Sequence, residues 1–165
     1  MMTGIQVLIV ALESTKATLE MLVGDFSDAD LLVRPVPGAN HAAWQIGNVI
    51  VGDPYLVKAE LPNAVFPELP AGFADLHGGK GAKIDQDAGF LTKDGYLKLL
   101  GSTRAATIAA VSKLTDADLD RPSSDGMKWA GPTLAHVLMF AASHTIQHAG
   151  QFSVIRRKLG KPVMF

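Results

Sequence analysis

GIQVLIVALESTKATLEMLV, residues 4 to 23, sets Ile5, Leu8, Leu12, Thr15, Leu19 and Leu22 at alternating steps of three and four, and Phe26 extends the series. That spacing brings every member to one side of a helix, so the segment predicts an amphipathic helix with a buried seam. Ile5 to Leu12 alone has the apolarity of a secretion-signal core. No Lys or Arg precedes it, however, and Glu13 and Lys16 follow, so the buried-helix reading is preferred.

Working outward, Asn40 is a good N-cap for a second helix reaching about Glu60, and Thr92 is one for a third reaching about Leu114. Gly131-Pro132 opens a fourth that runs to Leu159, where Gly160 and Pro162 end it. Pro54 lies inside the second segment and predicts a kink or a division there. Four helices of about 20 to 28 residues, each with one apolar stripe, predict an all-α four-helix bundle. Nothing reads as a strand. The linkers contain two acidic turns, Ser27 to Leu31 and Thr115 to Leu119. Residues 61–91 hold three Pro and five Gly without apolar periodicity. A connection of that length can travel the length of a helix, so helices two and three are free to run parallel.

The chain has 165 residues, 15 Lys plus Arg against 16 Asp plus Glu, and no cysteine. One domain, 1–165, is expected at that length. The charge balance argues against nucleic acid or an anionic membrane as the main partner. No run has the roughly 18 apolar residues of a membrane span, and a cytoplasmic protein is the simplest expectation. Without cysteine there is no disulfide, thiolate ligand or cysteine nucleophile, which leaves five histidines, the carboxylates and water to carry chemistry.

His144 and His148 stand four apart, so both rings leave one helix face a turn apart, and two imidazoles so placed can chelate a divalent ion. Val137, Ala141, Ile155 and Leu159 share that face and point it toward the core; two histidines satisfied by neighbouring side chains are the alternative. The Glu of a zinc-protease HExxH is missing. His136, eight positions before His144, reads as a helix-face or capping residue. His41 sits at a helix start, and His77, in Asp75-Leu76-His77-Gly78-Gly79, reads as a solvated loop residue.

His144-Thr-Ile-Gln-His148-Ala-Gly150-Gln151 and Ile155-Arg156-Arg157-Lys158-Leu159-Gly160-Lys161-Pro162 together resemble the end of the DinB-like superfamily. Asn40-His41-Ala-Ala-Trp44-Gln-Ile-Gly47, Met127-Lys128-Trp129 and the two acidic turns fit it as well, in family order, over nearly the whole chain except 61–91. The resemblance implies an up-down-down-up bundle, frequent homodimers and a three-histidine site for a divalent metal, commonly nickel or zinc. Two ligands fall on His144 and His148. The third position, after the Gly of the Trp-x-x-Gly motif, is Asn48 here. A neutral carboxamide is a weaker, harder donor than imidazole, so the site should hold zinc or nickel less well. Asp53 beside the Pro54 kink, His41 or the loop residue His77 are the candidate substitutes.

Two functions follow. One is a metal-dependent thiol transferase or hydrolase that takes a small-molecule substrate and a low-molecular-weight thiol such as bacillithiol or mycothiol, as the resemblance implies. The other is a non-catalytic dimeric helical module that has lost the metal. Under the second, Gly150 and Gly47 would permit close helix approach and Gln151 would satisfy a buried group. Arg156, Arg157, Lys158 and Lys161 offer an anion site, although cations at a helix C-terminus also favour the macrodipole without any ligand.

Overall fold

A computed structural model describes residues 1–79, 81–83 and 89–164, so residues 80 and 84–88 of the long connection lie outside the described residues. Helix α1 spans Gly4–Val23. Thr3 caps it, accepting from the Gln6 N–H at 3.2 Å while its own N–H donates to Gln6 Oε1 at 3.0 Å. From the far linker, the Asp116 carboxylate accepts the Gly4 and Ile5 N–H groups, placing negative charge at the helix N-terminus. The two acidic turns form as expected: a short helix α2, Asp28–Leu31, and a 3-10 turn, Asp116–Asp120.

Helix α3 runs Ala42–Glu60 without a break at Pro54. The expected division does not occur, because Asp53, Leu56 and Val57 are buried against the other helices and tertiary packing outweighs one missing hydrogen bond. Its cap is His41, whose Nδ1 accepts the Trp44 N–H at 3.1 Å. Asn40, the expected cap, instead offers its carbonyl to Gln45 Nε2 at 2.7 Å. Within the long connection lies a one-turn helix α4, Phe73–Leu76. Helix α5, Lys93–Val111, starts at Thr92 as expected and ends three residues short of Leu114, where the Ser112 hydroxyl donates back to the Ile108 carbonyl at 2.7 Å.

Helix α6, Leu134–Lys158, is capped by Thr133 rather than opened by Gly131-Pro132. Those residues are held extended: the Pro132 carbonyl accepts the Ser123 N–H at 3.0 Å, and Pro122 and Thr133 form an isolated antiparallel bridge. Gly131 has φ +142, a conformation L side chains rarely adopt.

The long helices form a ring in which α1 touches α5 and α6, and α3 touches α5 and α6. Their directions follow from two apolar clusters. One joins Leu19 and Leu22 of α1, Ile46 of α3, Leu100 of α5 and Phe152 of α6. The other joins Leu8 and Leu12, Leu56, Val111 and Val137. Helices α1 and α6 therefore run one way and α3 and α5 the other, which is the up-down-down-up four-helix bundle. The 61–91 connection crosses from one end to the other.

Between the clusters lies a buried polar layer. Arg104 of α5 faces Asp53 of α3, its Nε 3.1 Å and its Nη2 3.2 Å from the carboxylate oxygens. Thr107 donates to Asp53 at 2.9 Å, and Arg104 Nη2 donates to Thr145 of α6 at 2.6 Å. Burial pushes the Asp53 carboxyl up, against the pull of the Arg104 charge and the Thr107 hydroxyl. Asp53 is thus tied to Arg104 and is no substitute ligand. No described helix is long and apolar enough to cross a membrane.

Candidate metal centre

The two histidines leave α6 toward α3 and stop with their Nε2 atoms 3.1 Å apart, the rings crossing at 81°. Asn48 reaches across from α3 and sets its Oδ1 3.1 Å from His148 Nε2. The three residues singled out from the sequence therefore meet, joining positions 100 apart in the chain. All three are half-buried.

Neighbouring groups fix which atom each residue presents. Asn48 Nδ2 donates to the His77 carbonyl at 2.8 Å, which turns Oδ1 inward. Gln45 Nε2 donates to the Asn40 carbonyl, so Gln45 Oε1 faces His148 Nδ1 at 3.3 Å. An acceptor there favours the Nδ1–H tautomer of His148 and leaves Nε2 with a bare lone pair. Burial, with the neighbouring His144 adding to it, pushes His148 down to about 4. His144 is lowered by burial and then by the Arg104 charge. Near neutral pH both rings are uncharged, and two nitrogens and an amide oxygen converge with too few protons to satisfy them all.

The other histidines are committed elsewhere. His77 is buried rather than solvated: Nδ1 donates to the Phe73 carbonyl at 2.8 Å, and Nε2 accepts the Tyr96 hydroxyl at 2.6 Å. Its ring lies so close to α3 that a Cβ on Gly47 would come 1.9 Å from it, so the close approach expected of Gly47 is to the long connection. Through its carbonyl, His77 positions Asn48 without facing the histidine pair. His41 is held at the α3 cap and packs edge-on to Phe90 at 4.6 Å. His136 pairs with Thr133 at 2.9 Å at the start of α6, in the helix-end role expected.

Gly150 and Gln151 are exposed, and a Cβ on Gly150 would meet nothing, so the buried roles read for them are not realised within one chain. Arg156 is buried and forks onto Asp25, with further bonds to the Leu22 and Pro162 carbonyls, and Lys161 donates to the Asp25 carbonyl at 2.8 Å. These bonds tie the ends of α1 and α6 together and leave only Arg157 and Lys158 exposed.

Several residues at the site escape sequence reasoning. Gln45 is one turn before Asn48, a spacing that could have marked it. Gly52 lets the His144 ring approach α3, since a Cβ there would lie 3.0 Å from it. Phe140 stacks at 15° on His144, and Trp129 meets Phe140 edge-on at 5.0 Å. Among the described residues no three His, Cys, Asp or Glu side chains are grouped to hold a metal ion, and the polar side chain that stands third beside the histidine pair is the neutral Asn48.

No curated protein matches the chain significantly. The sequence from residue 11 to 152, covering α1 through most of α6 and every residue of the histidine–amide cluster, matches the DinB superfamily, and the chain belongs to that family.

Proposed function

We propose that this DinB-superfamily chain holds a divalent metal, nickel or zinc, between His144, His148 and Asn48 and acts as a metal-dependent thiol transferase or hydrolase. The supporting observation is that His148 Nε2 lies 3.1 Å from both His144 Nε2 and Asn48 Oδ1. Bonds of 2.0–2.1 Å to one ion set neighbouring donors about 2.9 Å apart in an octahedral shell and about 3.3 Å in a tetrahedral one, so the cluster has the right span. Gln45 supplies the outer hydrogen bond that holds a ligating histidine in its tautomer, and the His77 carbonyl does the same for Asn48. When bound, the ion supplies Lewis acidity that favours the anion of a thiol or water near neutral pH. The protein's own part is to keep the two imidazoles neutral and to aim them, with the amide oxygen, at one point. No cysteine is present, so a thiol nucleophile has to arrive as a cosubstrate.

The occupant of the outer α1–α6 face is, in the same reading, a second copy of the chain. Val7, Val10, Ser14, Ala17 and Met21 repeat at steps of three and four along α1, opposite its buried seam. Met139, Ile146 and Gly150, seven and four residues apart, share the outer face of α6, and the five large residues are 42–48% exposed. Lys16 lies against Gly101 of α5, leaving the α1 stripe toward α6; the histidine pair marks the α3 side of α6, leaving its stripe toward α1. Neither stripe carries a charge, so a two-fold contact brings no like charges together. Two adjacent helices about 30 Å long cover roughly 600–800 Å², near what one partner of a stable dimer buries.

A second reading, the dimeric module without metal, draws support from Asn48, a neutral group where the family pattern has imidazole. Metal content of untagged protein, measured beside Asn48→His, separates the two. Stoichiometric zinc or nickel in the parent supports the metal site. Loading of the variant alone supports the second reading, and loading of neither removes the metal from both.

A further inference from the structure

A cleft of about 230 Å³ opens beside the histidine–amide cluster, between α3, the Trp129 linker and α6. His144 and Asn48 stand at its inner end, and Tyr55, Leu56, Trp129 and Phe140 form its walls. None of its described lining residues is charged. Arg104, the nearest buried cation in the polar layer, is held by Asp53 and Thr145 beneath the cluster. The volume is below the roughly 300–1,000 Å³ of drug-sized sites, which suits one or two rings.

The walls are aromatic and wet. Trp129 is 58% and Tyr55 59% exposed, on either side of the opening. Further in, Trp129 meets Phe140 edge-on and Phe140 stacks on His144, so a continuous aromatic wall leads to the imidazole. Gly52 keeps the α3 wall flat at that point, because any side chain there would press on the His144 ring. A flat ring gains stacking and edge contacts on such walls. A carboxylate or phosphate entering the cleft loses its hydration and finds no opposite charge among the lining side chains.

We propose that this cleft binds an uncharged aromatic or heteroaromatic molecule of one or two rings, its polar edge turned toward His144 and Asn48. The inference rests on reading the cleft as the substrate end of the metal site, but ring binding itself needs only the lining side chains.

The test titrates the full chain, EDTA-treated and zinc-loaded, with benzimidazole and with 2-naphthoate, which have similar two-ring outlines and differ in charge, using ligand-observed NMR. Benzimidazole binds both forms, and 2-naphthoate binds the EDTA-treated form at least about tenfold more weakly, a gap that narrows with zinc loaded because the carboxylate then meets a cation. Trp129→Ala weakens benzimidazole about tenfold with an unchanged far-UV spectrum, since the side chain is exposed. Tyr55→Arg, at the rim, shifts the preference toward 2-naphthoate. Equal affinity of the EDTA-treated form for the two probes, or benzimidazole binding indifferent to Trp129→Ala, overturns the proposal. Benzimidazole binding by a chain that never loads metal upholds the cleft and removes the metal reading; a chain that loads metal yet binds no benzimidazole overturns the cleft alone.

Discussion

Replacing Asp53 by Leu removes the carboxylate from beneath Arg104, whose side chain is 1% exposed and whose nearest remaining partner is the Thr145 hydroxyl. A guanidinium does not lose its proton in a protein, so the variant buries an uncompensated charge, which costs about 3–5 kcal/mol. For a chain of this size that lowers the melting temperature by roughly 6–20 °C. Arg104→Met has a milder effect. The carboxyl of Asp53 is already pushed up by burial, and without its cation it takes a proton and stays buried as the neutral acid. With the folded-state pKa above the unfolded one, the Arg104→Met variant is most stable below the ordinary carboxylate value of 3.8 and loses stability as pH rises through the raised folded value. The double variant Asp53→Leu/Arg104→Met recovers most of the loss, because an apolar pair can replace a buried ion pair at little or no net cost. Urea unfolding followed by circular dichroism at several pH values measures all three. A double variant whose loss equals the sum of the two single losses refutes the reasoning, since the side chains would then be acting independently.

Three further outcomes are expected. Gly47→Ala drives a Cβ into the His77 ring and destabilises by about 1–3 kcal/mol, read as a lowered urea midpoint with an unchanged slope; a neutral substitution would show that the long connection yields freely. Because His148 is pushed down to about 4, the unfolded chain binds more protons between that pH and 6.5, so stability falls as pH drops through the window, by on the order of 3 kcal/mol. His148→Gln flattens that slope, and an unchanged slope would place the titration elsewhere. Val10→Glu with Ile146→Glu puts like charges on the outer α1–α6 face and yields a monomer by sedimentation equilibrium, where the parent sediments as a dimer.

The fold was legible because the period of the apolar residues is local. Leu8, Leu12, Leu19 and Leu22 announce the α1 seam within a few turns, and all of them are buried. The histidine pair was legible for the same reason, being four residues apart on one helix. Asn48 was legible only by its place in a family motif, since nothing within α3 says what α6 brings opposite it.

What stayed hidden depends on distant partners. Nothing in the sequence marks Arg104, and Asp53 reads as a spare ligand; their pairing spans 51 residues and appears only when the helices assemble. His77 looked solvated because glycines surround it in sequence, whereas Gly47 makes room for its ring and Tyr96 supplies its hydrogen bond. The α3 cap moved from Asn40 to His41 because two adjacent residues can both cap, and the Gln45 amide engages the Asn40 carbonyl.

The Asn48 amide faces two ways, its oxygen toward His148 and its nitrogen toward the His77 carbonyl. An imidazole at that position offers a single ring N–H in place of the NH₂ group, at a different reach from the backbone, so Asn48→His changes the strut together with the donor and is not a simple restoration. The strut fastens the long connection to α3 just where Trp44 also holds it, through the Gly78 carbonyl. Donor strength at residue 48 and anchorage of the connection at His77 are therefore set by a single side chain.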